Sequence, residues 1–235
     1  MPLTILSAGA AQGVVTALAA QFKAETGIEI NGTFGAVGAM RDKLFAGDAC
    51  DLIILTHAQI AELAAQGRVL TDSVADLGTV LTGVAVRMGD PLPDVSNASA
   101  LRAAMLAADG IYFPDPIKAT AGIYIAKVID SLGIRSAVES RLRTHANGAT
   151  AMRAMVETKG GRLIGCTQVT EINNTAGVVL VSILPKEFEL ATVYSVGVCS
   201  NTASPAAAEH FANMLTSEAS RALRAHAGYE FLTAN

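Results

Sequence analysis

The chain has 235 residues, of which 51% are apolar and 16% charged, and its net charge at pH 7 is −4. This composition excludes a disordered chain and suits one large or two small folded domains. The acidic balance and the 5% aromatic content argue against nucleic-acid binding, which needs a basic surface and stacking residues. No apolar stretch approaches the roughly 20 residues that cross a bilayer, so we expect no membrane insertion.

The first third of the chain alternates between short apolar strands and amphipathic helices. The periodicity predicts strands at 3–6, 28–34 and 51–55, and helices at 14–23, 40–45 and from Ile60 to Gly67. Continuous apolar strands separated by helices predict a parallel sheet that is covered on both faces.

A second α/β set begins after a long strand at 80–86. Its predicted helices are 98–108, 121–132 and 149–158, and its predicted strands are 111–113, 163–167 and 178–183. Another long strand follows at 194–199, and Ser204 and Pro205 start a final helix as N-cap and first helical residue. Two long strands that bracket the middle of the chain predict two crossings between lobes. We therefore expect lobe 1 at 1–82 plus 196–235 and lobe 2 at 83–195.

Two turns of small residues lie between a predicted strand and a predicted helix, one at 7–12 and one at 34–39. Small side chains leave the backbone N–H groups of a helix start bare, and these groups together with the helix dipole favour a small anion. Because both turns follow strands of one sheet, they lie on the same edge. The pair predicts an anion-binding cleft.

The cysteines and histidines do not have the spacing of a metal site. We interpret Cys50, Cys166 and Cys199 as reduced, small core residues, each in or beside a predicted strand, rather than as reactive or metal-binding groups. We expect neither a metal nor another cofactor.

The start of the chain runs from Met1 and Pro2 straight into the first strand, without the regions of a signal peptide. As written, the sequence predicts a cytoplasmic protein. The location becomes periplasmic if a signal peptide has been removed, and only then do we expect an ABC permease as partner.

Several segments resemble the type II periplasmic binding proteins, and most closely their molybdate-binding branch. The stretch from Leu3 to Val69 is similar to the opening of that family, and the resemblance returns at 115–124, with Ala-Gly-Ile-Tyr at 121–124, and at 163–166. The resemblance implies an α/β fold of two lobes. Each lobe would be a mainly parallel sheet flanked by helices, with two crossing strands as the hinge around a cleft.

The family's ligand pocket maps onto this sequence position by position. The resemblance places Ala10 and Val37 where the family has serine hydroxyls, Ala121 and Ala149 where it uses backbone N–H groups, and Gln168 where it has a tyrosine. Each missing donor to a buried oxyanion costs about 1–3 kcal/mol. The two lost hydroxyls therefore disfavour molybdate and tungstate, and the more apolar pocket favours a carboxylate with a carbon skeleton.

Further ligand-binding candidates surround these positions. The predicted set adds Ser7, Gly9, Ala11, Gly38, Arg41, Thr120 and Gly122. The hydroxyl of Ser7 can replace the one lost at Ala10, although a solvated turn residue is an equal alternative. Thr120 can act as the N-cap of helix 121–132 and still line the pocket. Arg41 and Lys118 each lie near a predicted helix start, where either can neutralise a second carboxylate of the ligand. For both residues a solvated side chain is the more common outcome.

Three residues are candidate catalytic acids or bases: His57, Glu171 and Asp115. His57 follows strand 51–55 at its carboxyl end, the side on which open α/β sheets bind ligands. Carboxylates in such clefts can have shifted pKa values. The alternative for Asp115 is turn chemistry before Pro116, and for Glu171 it is a capping or solvated role.

Three functions follow from these observations. The first is a binding protein for a small organic anion, most simply a carboxylate. The second is a cytoplasmic isomerase of an unsaturated acid by cis–trans or allylic isomerisation, because aconitate isomerase also resembles the molybdate-binding branch. The third is a molybdate receptor whose signal peptide was removed, against which Ala10 and Val37 count.

Overall fold

The computed structural model describes residues 1–231. The chain forms two compact units. Unit 1 comprises Met1–Val80 and the segment from Thr192 onward, and unit 2 comprises Leu81–Ala191. The chain therefore leaves unit 1 after Val80 and returns to it at Thr192. The sequence analysis placed these boundaries a few residues later, at 82 and 196.

Strands and helices alternate along most of the chain. The strands are β1 (Leu3–Ala8), β2 (Ile30–Gly35), β3 (Leu52–Thr56), β4 (Ala75–Arg87), β5 (Gly110–Pro114), β6 (Leu142–His145), β7 (Leu163–Gln168), β8 (Val178–Ile183), β9 (Ala191–Val198) and β10 (Tyr229–Glu230). The helices are α1 (Gln12–Thr26), α2 (Val37–Ala46), α3 (His57–Ala65), α4 (Ala98–Ala107), α5 (Thr120–Ser131), α6 (Arg135–Val138), α7 (Gly148–Glu157), α8 (Val169–Asn173), α9 (Pro205–Thr216) and α10 (Arg221–Ala227).

Unit 1 is built on the parallel strands β2, β1 and β3, in that order, followed by β9 and the first part of β4. β9 runs antiparallel to β3, with Ile54 opposite Val196, and β10 pairs with β4. The apolar side chains of β3 are fully buried, as expected for a strand covered on both faces. Phe22 of α1 meets Phe211 of α9 edge to face, with ring centroids 5.0 Å apart.

Unit 2 is built on the parallel strands β7, β5 and β6, with Gly110 opposite Leu163 and Ile111 opposite Leu142. The second part of β4 pairs antiparallel with β7 on one side and with β8 on the other. Its core contains buried residues of strands and helices alike, among them Val84, Phe113 and Ile125.

The sequence-based elements agree with these strands and helices, with informative differences. α2 begins at Val37 instead of residue 40, because the small residues of the second turn already adopt the helical conformation. The helix at Ser204 and Pro205 starts as predicted, but α10 and β10 follow it. The short elements β6, α6 and α8 were not predicted, since four or five residues carry too little periodicity.

The fold is the predicted α/β architecture, with a mainly parallel set of strands in each unit. Among residues 1–231, no helix combines the length and the apolar character needed to cross a membrane.

Candidate functional site

The carboxyl ends of the parallel strands in unit 1 lie on one edge of its sheet, and each leads directly into a helix. β1 ends at Ala8 and passes through a 3₁₀ turn at Gly9–Ala11 into α1, β2 passes through Ala36 into α2, and β3 leads into α3 at His57. None of these helix starts has a side-chain cap. Their first-turn N–H groups therefore lack the side-chain oxygen that usually satisfies them.

Ser7 does not lie in this turn but inside β1, where it is fully buried. Its Oγ donates to the carbonyl of Ala8 at 2.9 Å. The alternative of a solvated turn residue is therefore wrong, because the strand extends two residues further than the sequence indicated. Ala10 is held from outside the turn, since its carbonyl accepts a hydrogen bond of 3.2 Å from the Tyr229 hydroxyl.

The carboxyl ends of β5, β6 and β7 form the corresponding edge of unit 2. The helix α5 follows β5, and its N-cap, Ala119, makes no side-chain hydrogen bond. Thr120 is the first helical residue, so the prediction that it caps this helix is wrong. A Cβ at Gly122 would overlap the backbone carbonyls of Pro114 and Asp115. This glycine is therefore required for the close packing of α5 on the end of β5.

Asp115 has a local structural role in front of α5. Its Oδ1 accepts hydrogen bonds from the backbone N–H groups of Ile117 at 2.7 Å and Lys118 at 3.0 Å. An Asp side chain that binds the backbone two and three residues later stabilises a turn. The structure therefore supports this alternative for Asp115 over the role of an acid or base.

The N-terminus of α7 is occupied by a side chain of the protein itself. Asn147 forms a capping box with Thr150, and the carboxylate of Glu171 accepts a hydrogen bond from the backbone N–H of Gly148 at 3.1 Å. The backbone N–H of Ala149 also donates to Glu171. The prediction that the Ala149 N–H binds the ligand is therefore corrected, because an internal carboxylate takes that place.

Glu171 is 6% exposed. Its Oε2 accepts a hydrogen bond of 2.5 Å from the Thr167 hydroxyl. Burial raises the pKa of Glu171, and the hydrogen bonds from Thr167 and from the backbone of α7 oppose this rise only in part. The carboxyl of Glu171 is bonded to the start of α7 and to Thr167, which supports the capping alternative over the role of a base.

Two buried threonines beside Gln168 were not singled out by the sequence. Thr82 of β4 lies opposite Gln168 in the β4–β7 ladder, and Thr170 follows Gln168 by two residues. Thr82 is 1% exposed and Thr170 3%, and neither hydroxyl finds a hydrogen-bond partner among the described residues. Such hydroxyls are costly in a core without a partner. Thr82 could have been found from the sequence, because it is the one polar residue within the apolar run 80–86.

His57 belongs to a polar cluster in unit 1 with Asp76 and Ser195. Its Nδ1 lies 2.9 Å from Asp76 Oδ1, which also accepts a hydrogen bond of 2.5 Å from Ser195 Oγ. A carboxylate only accepts, so the Nδ1–H of His57 is the donor in this contact, which orients the imidazole ring. The His57 side chain is 55% exposed.

Residues 3–230 match the family described as bacterial extracellular solute-binding protein. The chain belongs to this family. The match extends over both units and includes every candidate residue named above.

The named relatives of this solute-binding protein differ in function. It is 26% identical over 224 residues to an aconitate isomerase from Pseudomonas sp., covering 92% of this chain and 82% of the relative. The periplasmic molybdate-binding protein of Azotobacter vinelandii has a similar structure, with a TM-score of 0.82, 19% identity and coverage of 98% and 100%. The sulfate-binding protein SubI of Mycobacterium tuberculosis has a TM-score of 0.72, 17% identity and coverage of 99% and 87%. These structures show that the chain has the fold of a periplasmic binding protein.

The predicted ligand-binding residues of this solute-binding protein divide between the two units. Unit 1 contains Ser7, Gly9, Ala10, Ala11, Val37, Gly38 and Arg41, and unit 2 contains Thr120, Ala121, Gly122, Ala149 and Gln168. Apart from Ser7, which is inside β1, and Arg41, which is in the second turn of α2, they lie at strand ends or in the first turn of a helix. The sequence therefore located the carboxyl edges of the two sets of parallel strands. The structure distinguishes the helix starts that have no side-chain cap from that of α7, which is bonded to Asn147 and Glu171.

Proposed function

We propose that this solute-binding protein binds a small organic anion through a carboxylate. One observation carries the proposal: α1, α2 and α5 start without a side-chain cap, whereas α4 and α7 are each capped by an asparagine. Bare helix starts at the carboxyl edge of a parallel sheet favour an anion.

The side chains at these edges favour a carboxylate over a tetrahedral oxyanion. Ala10 and Val37 bring no hydroxyl to the first two turns of unit 1. In unit 2, Gln168, Thr82 and Thr170 offer an amide and two buried hydroxyls. These groups can donate to one oxygen and accept from another, which suits a ligand with a hydroxyl or a second carboxyl on its carbon skeleton.

The experiment is a thermal-shift screen with molybdate, tungstate, sulfate and a panel of mono-, di- and tricarboxylates. A ligand at 100 times its Kd stabilises the folded protein by about 2.7 kcal/mol, so binders separate clearly from inert salts. We expect carboxylates to raise Tm and tetrahedral oxyanions to leave it unchanged. A molybdate shift larger than that of every carboxylate would refute the proposal in favour of the molybdate receptor.

An isomerase of an unsaturated carboxylic acid is the second candidate, and the His57–Asp76 pair favours it. The relative that is 26% identical acts, by its name, on aconitate. His57 Nε2 would remove a proton from a carbon next to the double bond, the electron pair would shift through the allylic system towards a carboxylate, and the proton would return at the other end. Asp76 would stabilise the imidazolium.

The cellular location of the protein is a further part of the proposal. The family is described as extracellular, which supports the exported alternative and, with it, an ABC permease as partner. A protein that stays in the cytoplasm would instead favour the isomerase.

A further inference from the structure

Two cysteines of unit 1 lie with their sulfur atoms in contact. The Sγ atoms of Cys50 and Cys199 are 3.4 Å apart although 149 positions separate them in the chain. The antiparallel pairing of β3 with β9 brings them together, because the backbone N–H of Cys199 donates to the carbonyl of Asp51 at 2.9 Å. Both thiols are free, and the sequence analysis gave no indication that they are in contact.

The two sulfurs differ in access. Cys199 is 3% exposed, whereas Cys50 is partly exposed. Both line a cavity of about 300 Å³, together with Phe45, Asp48 and Arg68. A small solute can therefore reach Cys50 first, with Cys199 directly behind it.

The contact also makes the two thiols unequal in acidity. The Cys199 thiol donates a hydrogen bond to Cys50 Sγ, which lowers the pKa of Cys50 and raises that of Cys199. The third cysteine differs from both, because full burial raises the pKa of Cys166 to about 12. Since the thiolate is the nucleophile, Cys50 is the reactive group of the three.

We propose that Cys50 and Cys199 form a reversible oxidation site that takes hydroperoxides. The Cys50 thiolate attacks one peroxide oxygen, the O–O bond breaks, and the other oxygen takes a proton and leaves as water from hydrogen peroxide or as an alcohol from an organic hydroperoxide. Cys50 is then a sulfenic acid. The sulfur of Cys199 attacks the Cys50 sulfur, the S–O bond breaks, and the hydroxyl leaves as water with the proton that Cys199 gives up as the S–S bond forms. Two thiols lose one electron each, and the peroxide gains both.

The product requires only a small movement of the two sulfurs. From their separation of 3.4 Å, an S–S bond of about 2.05 Å requires an approach of roughly 1.4 Å. The bond would connect the chain before β3 to the chain after β9, and all of unit 2 would lie within the closed loop. Oxidation would therefore constrain the segment through which the chain returns to unit 1.

The experiment treats the full chain with hydrogen peroxide at neutral pH, quenches with catalase, blocks free thiols and analyses tryptic peptides by mass spectrometry. Each cysteine lies in its own tryptic peptide, at 44–68, 163–186 and 187–221. We expect a loss of about 2 Da, a link between peptides 44–68 and 187–221, an unmodified Cys166, and full reversal by dithiothreitol.

Two variants make the test specific. Cys166→Ala should oxidise as the unaltered protein does, since Cys166 takes no part. Cys199→Ser should stop at the Cys50 sulfenic acid, which dimedone traps. Three intact thiols after peroxide, a link that joins two chains, or a link that includes Cys166 would each overturn the proposal. The readout is covalent mass, so the outcome is independent of which anion the protein binds.

Discussion

Glu171 lies over the N-terminus of α7, with its Oε1 3.1 Å from the backbone nitrogen of Gly148. The protein thus supplies its own carboxylate to one helix start at the carboxyl edge of unit 2, while the start of α5 on the same edge has no side-chain cap. A carboxyl group of the protein itself at one helix start and no side-chain cap at the next show that similar sequence patterns have different local structures.

The absence of a side chain at residue 148 is what allows this approach. A Cβ there would overlap Glu171 Oε2 and Thr167 Oγ1. We expect Gly148→Ala to lower the free energy of unfolding by about 1–3 kcal/mol through overpacking, measured by urea denaturation. In a Glu171→Ala background the same change should cost less, because Thr167 then no longer donates to the carboxylate and can rotate away. Equal costs in both backgrounds would contradict the contact.

The stability provided by Glu171 should depend on pH. Burial raises its pKa in the folded protein above the ordinary value of 4.5, so the folded state retains a proton that the unfolded state releases. The free energy of unfolding therefore falls as pH rises from about 4.5 through the raised folded value. Denaturation of Glu171→Gln across this range should lack that decline. Glu157→Gln, on the exposed side of α7, controls for the loss of one charge. If the free energy of unfolding of Glu171→Gln fell with pH as steeply as that of the unaltered protein, Glu171 would not be the group responsible.

A leucine at Gly38 should abolish anion binding and preserve the fold. Gly38 is the second residue of α2, where a large side chain would cover the first-turn N–H groups, and leucine has a higher helix propensity than glycine by about 0.8 kcal/mol. Isothermal titration with the best carboxylate of the screen measures the loss, and circular dichroism checks the helix content. Ala46→Leu, at the other end of the same helix, should bind normally. Unaltered affinity in folded Gly38→Leu would place the anion elsewhere.

Gly122 is unsuitable for that test, although it also lies in the first turn of its helix, α5. A side chain there would overlap the backbone of Pro114 and Asp115, so Gly122→Leu should destabilise unit 2 itself.

The isomerase candidate is tested by incubating the protein with cis-aconitate in deuterated water. We expect the trans isomer with deuterium at the carbon that regains the proton, followed by nuclear magnetic resonance. His57→Ala should lower the rate by about 10²–10⁴-fold. Asp76→Asn should have a smaller effect and change the pH profile, because Asp76 acts by orienting His57. Glu62→Gln, on the exposed face of α3, serves as the control. Recovery of unaltered acid without deuterium exchange would refute the isomerase and leave anion binding as the remaining candidate.

The sequence by itself determined the longer elements and the α/β class of the fold. The apolar run Leu52–Leu55, the helix that starts at Pro205, and the alternation of strands and helices follow from local periodicity, which depends on neighbours a few residues away. The two edges proposed to bind an anion follow from the same information, because the carboxyl ends of parallel strands necessarily share one side of a sheet.

The tertiary structure alone decided which groups distant in the chain meet. Ser195 reaches Asp76 across 119 positions, Cys199 reaches Cys50 across 149, and Glu171 reaches Gly148 across 23. Each contact depends on strand register and on the packing of a helix against its sheet, and no local pattern encodes either. For this reason the sequence could not show that the Glu171 carboxyl bonds to the start of α7, or that Cys50 and Cys199 are in contact.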